Sequence, residues 1–124
     1  LYKLKLIVLG SPGVGKTSII NEFKRKKKEV ILDAEVPIEI HLWDTPGYLE
    51  RYNTSKLFFK RAVGAIIVFD VCNSKSFRDC QRWYNFLIEY GESSTLVLLI
   101  GNKIDFNLER KVSYEEAYQF AEEC

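Results

Sequence analysis

The sequence predicts an α/β domain in three layers, with a mostly parallel sheet between helices. Three observations predict it. Strand-length apolar runs alternate with segments of helical period along the chain, so strands and helices interleave rather than cluster. Two of those runs, residues 65–69 and 96–100, are almost wholly aliphatic, the pattern of parallel strands covered on both faces. A glycine-rich turn links the first apolar run directly to a helical segment, which is a strand–turn–helix unit.

The elements follow in order: strand, helix, two strands, helix, strand, helix, strand, helix. Residues 4–9 form a compact apolar run ended by Gly10, hence a buried strand. Residues 16–28 carry Ile19, Ile20 and Phe23 at helical spacing. Residues 30–32 are short and β-rich, and Asp33-Ala34-Glu35-Val36-Pro37 is a turn. Ile38, Ile40 and Leu42 then alternate with Glu39, His41 and Trp43, which predicts a strand with one buried face. His41 falls on the other face, where a solvent-facing histidine is the plain reading and a metal ligand is not. Between the two aliphatic runs, Phe77, Cys80, Tyr84, Leu87 and Ile88 recur at helical spacing, read as core, and Gly91 ends that helix. Ser113-Tyr114-Glu115-Glu116 is a capping box, and Ala117, Phe120 and Ala121 give the last helix its buried face. The chain holds no internal repeat and no low-complexity linker.

At 124 residues this is one domain. The net charge of +1 gives no global pull toward nucleic acid, which is not an expected partner. The only concentrated charge, Lys24-Arg25-Lys26-Lys27-Lys28, reads first as a solvated helix end and second as a contact for anionic membrane or phosphate. Cys72, Cys80 and Cys124 are odd in number and widely spaced, so they form neither a disulfide framework nor a metal motif. A reduced, cytosolic compartment fits. No signal peptide is expected, and the apolar runs fall far short of the roughly 20 residues of a membrane span. The chain begins at Leu1, contains no methionine, and ends at Cys124 within a predicted helix, so an incomplete domain is expected.

Three elements carry chemistry. The first is Gly10-Ser11-Pro12-Gly13-Val14-Gly15-Lys16-Thr17, which fits the P-loop pattern. Its glycines let the backbone curl so that successive amides face phosphates, and the following helix adds its N-terminal partial charge. Lys16 would neutralise the β- and γ-phosphates, and Thr17 would offer its hydroxyl to Mg²⁺. The contacts expected here are Gly13, Val14, Gly15, Lys16, Thr17 and Ser18. The second is Trp43-Asp44-Thr45-Pro46-Gly47 at a strand end. Asp44 would hold Mg²⁺ directly or through water, and Gly47 would let an amide approach the γ-phosphate. A plain strand-ending turn would explain this motif if it stood alone. The third is Asn102-Lys103-Ile104-Asp105, directly after a strand. Asp105 can accept two hydrogen bonds from the guanine N1–H and amine, whereas adenine would leave the carboxylate unpaired. Asn102 would steady the loop and Lys103 would lie over the base. All three motifs follow strands, where open α/β sheets bind ligands.

With these motifs the sequence resembles Ras-superfamily small GTPases, and looks most like the Rab branch. The resemblance runs from Tyr2 to Cys124 and thins between Lys24 and Pro37. It includes Phe58-Phe59-Lys60-Arg61-Ala62, then Phe69-Asp70-Val71, then Ser76-Phe77 opening a helix with Trp83, and Gly101 before Asn102. It implies a P-loop domain that binds GTP and GDP with Mg²⁺ as a switch in membrane traffic. It further implies effectors, exchange factors and GTPase-activating proteins as partners. A C-terminal lipid beyond Cys124 would place the protein on the cytosolic face of an endomembrane.

Three departures from the family matter. Only 26 residues, Ser18 to Trp43, separate Thr17 from Asp44, whereas Rab-like domains carry a longer stretch with the mobile first switch and its Mg²⁺-binding Thr. Either that stretch is deleted, or it is disordered and omitted near Phe23 to Glu29; the second is preferred. The chain also stops before the family's last strand and helix, with their Ser-Ala-Lys loop. Finally, Tyr48 falls where the family has the Gln that orients the attacking water, so hydrolysis is expected to be slow. The nearby Glu50-Arg51-Tyr52 resembles the family's Glu-Arg-Phe but is shifted by one. A non-hydrolysing nucleotide-binding scaffold, or one unit of a larger tandem protein, is the alternative expectation. An ATP-dependent kinase is disfavoured by Asp105.

Overall fold

A computed structural model of the chain describes residues 2–25, 38–45, 56–103 and 110–124. The elements are β1 (Tyr2–Leu9), α1 (Lys16–Arg25), β2 (Ile38–Asp44), the single turn α2 (Lys56–Phe59), β3 (Ala62–Asp70), α3 (Ser74–Tyr90), β4 (Leu96–Asn102) and α4 (Tyr114–Glu123). The expected strand at 30–32, the turn after it and the end of the first helix past Arg25 lie outside the described residues.

The described strands form one sheet, all parallel, in the order β2-β1-β3-β4. The chain therefore moves from β1 to one side and then returns to its other side for β3. Connections leaving β1 and β3 part company at their carboxyl ends, which opens a crevice there. The register sets Val8 of β1 beside Asp44 of β2, and Asp70 of β3 beside Asn102 of β4. Both neighbouring pairs reach the crevice.

Each face has its own core. Ile7, Leu9, Ile67 and Phe69 lie under Cys80, Trp83, Phe86 and Leu87 of α3. Val8, Val14, Ile20 and Val68 form the opposite cluster, joined by Ile19 and Leu42. Successive β1 residues thus bury on opposite faces, which is why the strand reads as a continuous apolar run. Cys80 is fully buried, and burial followed by the charge of Asp79 pushes its thiol up to about 12. All three cysteines are free. Among the described residues no helix is long and apolar enough to cross a membrane.

Four expectations need correcting. Within α3, Ile88 is 66% exposed, and Trp83 and Phe86 take the inner places instead. The inner row is Ser76, Cys80, Trp83 and Leu87, spaced by four, three and four, and it leaves position 88 on the outer flank. The aliphatic run of β4 is not covered on both faces: Leu96 is 78% and Leu98 56% exposed. Only β3 pairs with it among the described strands. In α4, Ala117 and Phe120 rest partly buried against the core, but Ala121 is exposed and the helix has no fully buried residue. Strand β2 is half-buried from Ile38 to Leu42 rather than buried on one face, and among the described strands it too lies at an edge. There Nε2 of His41 lies 2.9 Å from Oε1 of Glu39. No cluster of three His, Cys, Asp or Glu side chains able to hold a metal occurs among the described residues.

Gly91 and the Ser113 capping box stand where the sequence places them, and the structure adds a cap at Asn73. Asn73 accepts from the Ser76 amide at the start of α3, and Gly91 donates its N–H to the Leu87 carbonyl at 2.8 Å at its end. Ser113 and Glu116 form the reciprocal capping box of α4.

Candidate functional site

The loop between β1 and α1 needs glycine at particular points. Gly15 has φ +98°, and a Cβ there would sit 2.2 Å from Nδ2 of Asn102. Gly10 lies so close to β3 that a Cβ would be 2.5 Å from the Val68 carbonyl oxygen. Both positions combine unusual backbone with close approach, which only glycine meets.

Side chains from β4 and α1 hold the loop's carbonyls. Asn102 Nδ2 donates to the Val14 carbonyl at 2.9 Å, and Lys103 Nζ donates to the Gly13 carbonyl at 2.8 Å. Lys16, 6% exposed, donates to the Gly10 carbonyl. The C=O and N–H of a trans peptide point in opposite directions. Tying the carbonyls of Gly13 and Val14 therefore turns the amides of Val14 and Gly15 the other way. Such amides form an anion-binding concavity.

The carboxyl end of β2 meets the first turn of α1. Thr17 Oγ1 donates to Asp44 Oδ2 at 3.2 Å, and Asp44 Oδ1 accepts from the Thr45 amide at 2.8 Å. Thr45 is buried and its hydroxyl donates to the Val8 carbonyl, which fixes the strand end. Thr17 and Asp44 thus present two hard oxygen donors side by side, a set that suits Mg²⁺ completed by phosphate and water oxygens. Ser18 is exposed beside Thr17.

At the end of β4, Lys103 has φ 65°. A non-glycine residue in that region costs on the order of 1–3 kcal/mol and persists only where its surroundings hold it. Here the holding groups are the Gly13 carbonyl and Asp70, whose Oδ2 lies 3.4 Å from Nζ. Asp70 is itself oriented by the Cys72 amide, which donates to Oδ1 at 2.8 Å.

The structure therefore brings Gly13, Val14, Gly15, Lys16, Thr17, Asp44, Asn102 and Lys103 to one end of the sheet. Gly47, Tyr48 and Asp105 lie outside the described residues. Sequence reasoning missed three contributors. Thr45 could have been suspected as a small polar residue after a strand. Asp70 needed the register of β3 against β4. Ser11 donates to Asp79 Oδ2 at 2.7 Å across 68 positions, a contact with no signature along the chain.

Comparison with known proteins agrees with this geometry. The family model described as the Ras family matches residues 5–124. The chain is 32% identical over 136 residues to Ras-related protein Rab-25 of Oryctolagus cuniculus, covering 98% of this chain and 63% of that protein. It is 32% identical to Ras-related protein Rab-11C of Dictyostelium discoideum, covering 98% and 60%, and 34% identical to GTP-binding protein ypt3 of Schizosaccharomyces pombe, covering 98% and 64%. The chain thus spans less than two thirds of the length of these relatives. The 136-residue alignment is longer than this 124-residue chain, so it contains positions that the chain lacks. The match over residues 5–124, together with the loop and strand-end geometry, shows that the chain belongs to the Ras family and resembles Rab proteins within it.

Proposed function

We infer that the protein is a Rab-like guanine-nucleotide switch in membrane traffic, binding GTP and GDP with Mg²⁺ and hydrolysing GTP slowly. The observation that carries this reading is the pair of bonds from Asn102 and Lys103 to the carbonyls of Val14 and Gly13. They join the base-reading motif to the phosphate loop, so one ligand with a base and phosphates can meet both. In this reading the amides of the loop from Gly13 to Ser18 bind the phosphates, with Gly47 reaching the γ-phosphate. Lys16 leaves the Gly10 carbonyl to neutralise phosphate charge. Thr17 and Asp44 hold the cation, which when bound offsets the charge of the phosphate oxygens. Asp105 selects guanine. Effectors, exchange factors and GTPase-activating proteins are the partner kinds, and a C-terminal lipid beyond Cys124 supplies the membrane contact.

Base choice tests the reading. In competition against labelled GDP, unlabelled GTP should displace and ATP should not. Asp105→Asn should move preference toward xanthine nucleotides, whose added carbonyl suits an amide donor. Equal competition by ATP and GTP would remove the guanine assignment.

Hydrolysis is tested at Tyr48. The family's Gln amide both donates and accepts, whereas a phenol offers one hydroxyl on a longer rigid ring. Single-turnover hydrolysis by the parent should be slower than in typical Rab proteins, and Tyr48→Gln should raise it if a first-switch Thr completes the cation shell. Fast parental hydrolysis that survives Tyr48→Ala would show that another residue positions the water. No phosphate release by parent or variant would favour the non-hydrolysing scaffold.

A further inference from the structure

We propose that Asp79 of α3 is a positioning residue for the phosphate-binding loop, anchoring it through the Ser11 hydroxyl and thereby lengthening the residence of bound nucleotide; this rests on the guanine-nucleotide reading above. Ser11 is the second residue of the loop, and its single O–H is given to Asp79 Oδ2 at 2.7 Å. That proton is then not available to a phosphate, so Ser11 acts by fixing backbone rather than by touching ligand. The acceptor is a carboxylate, which makes such a bond shorter and stronger than a neutral one. Burial alone would raise the Asp79 carboxyl. The Ser11 hydroxyl, Lys75 and the charge of Arg82 more than offset this and hold it below the usual carboxylate range, so it is ionised at neutral pH.

The bond differs in kind from the loop's other side-chain ties. Lys16, Asn102 and Lys103 are all assigned to the nucleotide, and Lys16 must change partner when phosphate arrives. Ser11 and Asp79 both lie outside that set, and their bond can persist through binding and release. Asp79 is also well seated: its side chain is 19% exposed, on a helix whose neighbouring Cys80 is fully buried. Lys75 reaches the same oxygen at 3.3 Å from a side chain that is 76% exposed, a surface pair of small worth. An anchor that pre-orders a binding loop lowers the entropy lost on binding, and changes of this kind show mainly in the dissociation rate.

The test is release of fluorescent GDP, chased with excess GDP, from the full-length protein and its variants. Ser11→Ala and Asp79→Ala should each speed release about threefold to tenfold, and the double variant should be no faster than the faster single one, because both remove one bond. Asp79→Asn keeps an oxygen acceptor for the hydroxyl and should recover most of the parental rate. Lys75→Ala should release at the parental rate, which separates the anchor from general loss of charge on α3. Thermal melting of each variant without nucleotide checks that the fold is intact. Parental release rates in both single variants, or additive effects in the double, would overturn the anchor while leaving the nucleotide reading in place. A parent protein that binds no guanine nucleotide would overturn both.

Discussion

Gly15→Ala is expected to weaken guanine-nucleotide binding about a hundredfold. Two costs add. Alanine at φ +98° carries backbone strain on the order of 1–3 kcal/mol. Its Cβ would also lie 2.2 Å from Nδ2 of Asn102, and that nitrogen cannot retreat without losing the Val14 carbonyl. Losing that bond adds about 1 kcal/mol and unties the base loop from the phosphate loop. Together the terms come to about 2–4 kcal/mol, centred on roughly two powers of ten in affinity. Gly13→Ala is the informative comparison. Its φ is +82°, but nothing lies within 4 Å of the added Cβ. It should therefore show the strain alone and lose less. Titration with fluorescent GDP measures both, and equal losses would mean that the contact with Asn102 is not what Gly15 protects.

Trp83→Ala is expected to destabilise the fold by about 3–5 kcal/mol, the range for removing a large buried aromatic. Trp83 is fully buried beneath the sheet, with its ring 5.8 Å from Phe86. That is a large fraction of a typical domain's 5–15 kcal/mol. Trp83→Phe should cost distinctly less. The indole Nε1 is buried without an acceptor among the described residues, and an unsatisfied donor carries a penalty of about 1–3 kcal/mol. Phenylalanine removes the donor along with the extra ring volume, so one change offsets part of the other. Urea unfolding at constant slope would report both values. A Trp83→Phe midpoint as low as that of Trp83→Ala would show that volume alone decides.

What was legible in the chain follows from which physics is local. The phosphate loop could be read because its backbone demands glycine at fixed intervals, and Gly15 bears this out with its positive φ. The capping box at Ser113 was equally local, since it joins groups three residues apart; the cap at Asn73 has the same spacing but was not read. Burial was less legible. Periodicity announced a buried stripe on α3 but could not choose between Trp83 and Ile88, which differ only in which flank of the helix meets the sheet. The aliphatic run of β4 announced a strand but not how many neighbours it would have. The bonds from Lys103 to Asp70 and from Ser11 to Asp79 depend on register and on helix placement, which no window of sequence contains. Asp105, Gly47 and Tyr48 were read from motif and spacing alone, and their roles stand as proposals.

The exposed flank of β4 has a consequence for solubility. Residues 96–101 carry no charge and no proline, and the strand has no partner on its far side among the described residues. Its outer row of amides and carbonyls is thus a template for strand addition, backed by the aliphatic side chains of Leu96, Val97 and Leu98. Sequences usually guard such a segment with charged gatekeepers. Here the nearest is Lys103, already engaged with Gly13 and Asp70. A polypeptide of these 124 residues alone should therefore self-associate through β4 as its concentration rises, and a lysine in place of Leu98 should delay that association without touching the nucleotide end of the sheet.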